Sequence, residues 1–343
     1  MVHWLTREGQ TSICLRRREF IATLGGAAAW PLAAQTQQRE RMRRIGAIMA
    51  LAADDPESQL GIAGFLQGLQ ELGWVVGRNI RIDYRWGAAE SSDVRQKYAR
   101  EMVSLAPDVI LASGSGIVGE LQRESRTVPI VFAGSIDPVG RGIVASLARP
   151  GGNATGFLSI EYGLGAKLLE FLKEMAPRVE RVAVTRDPTA PGGIGLYAAI
   201  QTSSSSLRMQ IIPIDDRDQD ELERAITAFA REPNGGLIVP ASARAALRRK
   251  LLISLAARHK LPAVYGSRVF VEDGGLISYS PSVMGNYRLA AGYIDRILKG
   301  EKPADLPVQA PTKYETVLNM KTARTLGLDV PTTVLVRATE VIE

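Results

Sequence analysis

Residues 44–72, RIGAIMALAADDPESQLGIAGFLQGLQEL, hold the two periodicities whose alternation decides the fold. The apolar run at 44–51 is short and gives way to small and acidic residues, which suits a buried strand. Ile62, Phe65, Leu69 and Leu72 then recur at three- and four-residue spacing, placing one apolar stripe on a helix. A strand followed by such a helix is a βα unit, and its repetition builds a parallel sheet.

Forward from this unit the alternation repeats. Ile80 and Ile82 alternate against Arg81 and Asp83 in a strand over 79–86, and DVILAS (108–113) and PIVFAG (129–134) supply two more. The turn-forming PGGNATG at 150–156 interrupts the pattern. It then resumes with a helix over 164–176 carrying Leu168, Leu172 and Met175 on one face, and strands at 181–185, 209–213, 236–239 and 263–265. Beyond residue 280 come a helix over 284–299, a Pro-rich connection at 302–311, and strand-like segments at 315–319 and 333–337. The expected fold is therefore α/β, with two Rossmann-like lobes of parallel sheet. The chain crosses between them more than once, which makes a multi-crossover hinge. Residues 43–155 with about 281–343 are assigned to the first lobe and 156–280 to the second.

Backward from residue 44, Arg16, Arg17 and Arg18 run into an apolar stretch at 21–32 and then Ala33 and Ala34. Basic, apolar and small in that order is an export signal, too short to span a bilayer. Arg17 and Arg18 ahead of Glu19 and Phe20 resemble a twin-arginine leader. Residues 1–34 are thus a leader cleaved near Ala34, and the mature protein is expected in the periplasm. The leader holds four arginines against two glutamates, so its removal takes the formal charge from +6 to +4. Past it no run of Lys and Arg interleaves with aromatics, so no nucleic-acid partner is expected. The one cysteine, Cys14, leaves with the leader.

In open parallel sheets, ligands sit beyond the carboxyl ends of the strands, where helix N-termini present free N–H groups. Those positions offer Asp54 after the first strand, Ser113 and Ser115 after the third, and Ser135 and Asp137 after the fourth. In the second half they offer Asp187, Ser242 and Tyr265, with Tyr279 at a crossover. Hydroxyls and uncapped amides suit a carboxylate, and a neighbouring acid suits an ammonium, a pairing that fits an amino acid or related small acid. Asp137 and Asp187, each followed by proline, equally suit helix N-caps. Tyr265 and Tyr279 equally suit core packing.

The inventory for catalysis is thin. His3 leaves with the leader, His259 ends a helix, and HExxH, GxSxG and P-loop patterns are missing from the sequence. No enzyme activity, metal or cofactor is expected. A repressor-type regulator needs a helix-turn-helix where this chain carries its leader. A periplasmic sensor feeding a signalling partner, or an exported hydrolase with a carboxylate pair, are the alternatives.

The leader, GWVVGRNIRIDYRW (73–86), PTTVLVRATEVIE (331–343) and above all DPVGRGIVASLARPGGNATG (137–156) resemble the solute-binding proteins of ABC transporters related to the tryptophan/tyrosine-binding type. The resemblance implies a type I periplasmic binding protein with three crossovers. It also implies a small molecule held in the interlobe cleft and an inner-membrane permease as partner; the expected state is a monomer.

Overall fold

The computed structural model describes residues 42–343. The leader expected at 1–34 lies outside the described residues. In the first sheet, β1 (Arg43–Ile48), β2 (Ile80–Arg85), β3 (Val109–Ser113), β4 (Ile130–Ser135) and β5 (Ala154–Leu158) lie in the order β2-β1-β3-β4-β5. Every pair is parallel. Such pairing needs a crossover after each strand, and α1 (Pro56–Glu71), α2 (Ser92–Ser104) and α3 (Ser115–Glu124) provide three of them. Successive side chains point to opposite faces, so Val109 and Leu111 enter one core while Ile110 and Ala112 enter the other.

The second sheet comprises β6 (Arg181–Arg186), β7 (Gln210–Asp215), β8 (Gly235–Val239), β9 (Ala263–Tyr265), β10 (Ile277–Pro281), β11 (Tyr314–Asn319) and β12 (Glu340–Ile342). Their order is β12-β11-β10-β9-β8-β6-β7, with β10 and β11 antiparallel. Helices α4 (Leu164–Met175), α5 (Pro191–Leu207), α6 (Gln219–Phe229), α7 (Ala243–Leu247), α8 (Arg249–Arg258) and α9 (Val269–Glu272) belong to this lobe. Helix α10 (Val283–Leu298) returns to the first, and α11 (Met320–Thr325) and α12 (Thr332–Arg337) follow β11. Crossings therefore occur between β5 and α4, between β10 and α10, and just before β11. Among the described residues no helix is long and apolar enough to cross a membrane.

Three expectations differ from the structure. The turn read at 150–156 runs directly into β5, where Gly156 (φ +152) passes so close to β4 that a Cβ would lie 2.0 Å from the Phe132 carbonyl oxygen. The strand expected at 333–337 is α12: Pro331 at its N-cap, with φ −64, launches a helix, and the terminal strand lies at Glu340–Ile342. Residues 281–343 do not stay together. The α10 helix packs in the first lobe's core with Phe65 and Leu69 of α1, whereas β11 pairs with β10 and β12 with β11 in the second sheet. The Pro-rich connection runs along the first lobe, where Leu158 N–H donates to the Gln309 carbonyl at 2.9 Å, and crosses only afterwards.

Candidate ligand-binding cleft

A cavity of about 400 Å³ lies between the lobes, at the carboxyl ends of β1, β3 and β4 on one side and β6, β8 and β9 on the other. In the first lobe, β3 ends in Ser113-Gly114-Ser115-Gly116. Gly114, at φ 83, turns the chain into α3 as an N-cap without a side-chain acceptor, so the first N–H groups of α3 are uncapped at the cavity wall. The Ser115 hydroxyl turns to β4 instead, 2.9 Å from Ser135 Oγ and accepting from Ile136 N–H at 3.0 Å.

Tyr287 of α10 donates to Ser113 Oγ at 2.7 Å, and burial pushes its phenol above the ordinary range. Arg95 of α2 packs across the α3 N-terminus, where a Cβ on Gly116 would lie 3.4 Å from Arg95 Cδ and Nε. The Arg95 Nε is buried without a hydrogen-bond partner. Glu57 of α1 accepts from Ser267 of the second lobe at 3.0 Å. Burial raises the Glu57 carboxyl, and the Ser267 hydrogen bond offsets this only in part.

On the facing wall Thr185, 3% exposed, holds its hydroxyl without a partner. The Arg186 guanidinium lies 4.5 Å above the ring of Tyr197. Asp187 accepts from Thr189 N–H at 2.8 Å and from Arg244 Nη1 at 3.1 Å. Burial pushes the Asp187 carboxyl up, but the Thr189 hydrogen bonds and Arg244 outweigh it and hold the group below its ordinary value. In Asp216, 3.3 Å from the same guanidinium, burial wins and the carboxyl is raised. Ser242 caps α7 by accepting from Ala245 N–H at 3.0 Å.

Of the residues singled out in the sequence, Ser113, Ser115, Asp187 and Ser242 line the cavity. Ser135 is fully buried behind Ser115. Four others lie off the cavity. Asp54 is exposed on its loop, and its neighbour Asp55 caps α1. Asp137, at φ 51, accepts from Gly140 N–H at 2.9 Å in a turn. It is no helix N-cap, and neither is Asp187, since α5 begins after Ala190. Tyr265 stacks on Phe270 at 4.8 Å inside the core, and Tyr279 lies against Tyr314 at 5.3 Å and Phe171 at 5.2 Å. Sequence reasoning missed Glu57, Arg95, Tyr197, Arg244 and Tyr287. They come from helices whose inward faces depend on tertiary packing; Thr185 and Arg186, the last residues of β6, stand where a strand-end rule finds them.

The lobes also touch at two further points. Arg249 reaches Asp55 at 3.2 Å across one rim. At another point Ile136 sits so close to Gly192 that a Cβ there would lie 2.2 Å from its Cγ2.

Comparison with known proteins matches this architecture. A curated tyrosine-binding protein of Clostridioides difficile (strain R20291) is 22% identical over 292 residues, covering 84% of this chain and 82% of that protein. A conserved domain protein from Vibrio cholerae superposes with a TM-score of 0.81 at 24% identity, covering 88% of this chain and 100% of the other. An ABC domain from Streptococcus pneumonia in complex with L-Trp also gives 0.81, at 22% identity and 88% and 99% coverage. The ligand-free, open structure of a substrate-binding protein with adhesive properties from Clostridium difficile gives 0.66 at 21% identity, with the same coverage. The family model described as ABC transporter substrate binding protein matches residues 47–342, nearly all of both lobes, and the chain belongs to that family.

Proposed function

We propose that the protein is a periplasmic receptor of an ABC importer. It is exported, loses its leader near Ala34, and closes as a monomer around a carboxylate-bearing small molecule, an amino acid or related small acid. It then docks on an inner-membrane permease through the rims of both lobes. The solute is bound and released without chemical change. The observation that carries this reading is the interlobe cavity, in which uncapped α3 amides and the unpartnered Thr185 hydroxyl face enclosed space. Preformed donors without partners suit an acceptor-rich solute, because a buried unsatisfied donor costs about 1–3 kcal/mol. The tyrosine-binding relative and the neighbour in complex with L-Trp support the solute class.

A thermal-shift screen of amino acids and small organic acids tests the reading. A true ligand at a hundredfold excess over its Kd adds about 2.7 kcal/mol of stability, a shift of several degrees. Absence of any shift across these classes, with turnover of some substrate, would replace the receptor by an enzyme. Mass spectrometry of the exported protein checks the leader: the expected mature chain starts near residue 35, and replacing Arg17 and Arg18 by lysine blocks export.

A further inference from the structure

Granted that the cavity is the solute site, the charges on its walls restrict the solute further. Four arginines (Arg95, Arg141, Arg186, Arg244) and three carboxylates (Glu57, Asp187, Asp216) line it. The carboxylates are already engaged: Asp187 and Asp216 share Arg244, and Glu57 accepts from Ser267. An α-ammonium would meet carboxylates that already accept from Arg244 or Ser267. The arginines are in the opposite condition. Among the described residues, Arg95, Arg141 and Arg186 have no carboxylate within ion-pair distance, and Arg95 Nε has no hydrogen-bond partner at all.

Two of them stand on opposite walls. Arg95 belongs to the first lobe and lies beside the uncapped start of α3. Arg186 belongs to the second, next to the unpartnered, buried Thr185 hydroxyl and near the start of α5, whose cap residue Ala190 makes no side-chain bond. Arg141 stands exposed at the mouth. The cavity lining also includes the apolar Ile117, Ile160, Val184 and Leu196.

We infer that the cleft takes a dicarboxylate with an apolar spacer, one carboxylate held by Arg95 and the α3 amides, the other by Arg186 and Thr185. Charge balance agrees. Asp187 and Asp216 are both held by Arg244, which leaves Arg95 and Arg186 as two cationic positions, one on each wall, for the two carboxylates. A ligand anchored at both ends also contacts both lobes only when they are closed, which is the differential affinity that closure needs.

The test is calorimetric titration of the mature protein with succinate, glutarate, adipate and terephthalate, each beside its monomethyl ester, and with L-Trp and L-Tyr. The expected result is that at least one diacid binds and that its half-ester binds roughly tenfold weaker or worse, because one charge-assisted contact is gone. Arg95→Ala and Arg186→Ala should each weaken the diacid roughly ten- to a hundredfold. Circular dichroism of the unliganded variants verifies their folding, and the half-ester comparison needs no variant. Binding of an amino acid but no diacid overturns the dicarboxylate and leaves the receptor reading standing. A diacid that binds no better than its half-ester overturns it equally. No heat with any member of the panel overturns it as well, and the broader solute screen then decides the receptor reading separately.

Discussion

Glu57 is an acid placed where water solvates it poorly, and its raised carboxyl has a definite pH consequence. A folded-state value above the unfolded one means that protonation favours the native state. The contribution is fully present below the unfolded value of about 4.5 and is lost as pH rises through the folded one. Glu57→Gln keeps a neutral group of the same shape against Ser267. It should melt above the wild type at pH 8, with the gap closing as pH falls toward 4.5 in thermal denaturation scans; a gap that widens on acidification would mean the ionised form is the favoured one. Tyr287→Phe deletes the hydrogen bond to Ser113 at the cavity wall and should cost about 1 kcal/mol in urea denaturation. Strand-end serines such as Ser113 and Ser115 were legible because the end of a strand is a local property of the chain. Tyr265 was misplaced by one position: it is the last residue of β9, and its ring turns into the core while Gly266 and Ser267 reach the cavity.

Helices α1 and α10 approach each other through glycines. A Cβ on Gly64 would lie 2.3 Å from the Met284 carbonyl oxygen, and one on Gly68 would lie 2.8 Å from the Arg288 carbonyl oxygen. Backbone cannot yield as a side chain can, so Gly64→Ala should destabilise by about 1–3 kcal/mol, although alanine is the better helix former. Gly119 in α3 is the control. A Cβ there meets nothing within 4 Å, so Gly119→Ala should stabilise by about 0.5–1 kcal/mol. Chemical denaturation of both variants should show opposite signs. The same contrast explains which elements the sequence revealed. Strands β1, β3 and β4 are largely buried apolar runs, and β2, at the sheet edge, alternates apolar with polar residues; both patterns identify strands without knowledge of neighbours. The β5 strand carries Gly156 because β4 crowds it, and that crowding is a tertiary fact. In α12 the start set by Pro331 overrides the strand preference of its threonines and valines.

At the scale of the molecule, closure rests on a few rim contacts. Asp55 both caps α1, accepting from Glu57 N–H at 2.9 Å, and pairs with Arg249 across the cleft at 3.2 Å. Asp55→Asn keeps a capping oxygen and removes the ion pair. The variant should populate the open form more, raising the radius of gyration of the unliganded protein in small-angle X-ray scattering and weakening ligand affinity a few-fold through the smaller closed fraction. An unchanged radius and affinity would show that the other interlobe contacts, Glu57–Ser267 and Ile136–Gly192, carry closure without the ion pair. The α/β class and the duplicated βα pattern were determined by the sequence itself, because strand and helix periodicities are written in residues a few positions apart. The tertiary structure alone decided which lobe owns the tail and which side chains meet in the cleft. Pairing of β11 with β10, and the convergence of Glu57, Arg95, Arg186 and Tyr287, join residues far apart in the chain, and no local period records such a meeting.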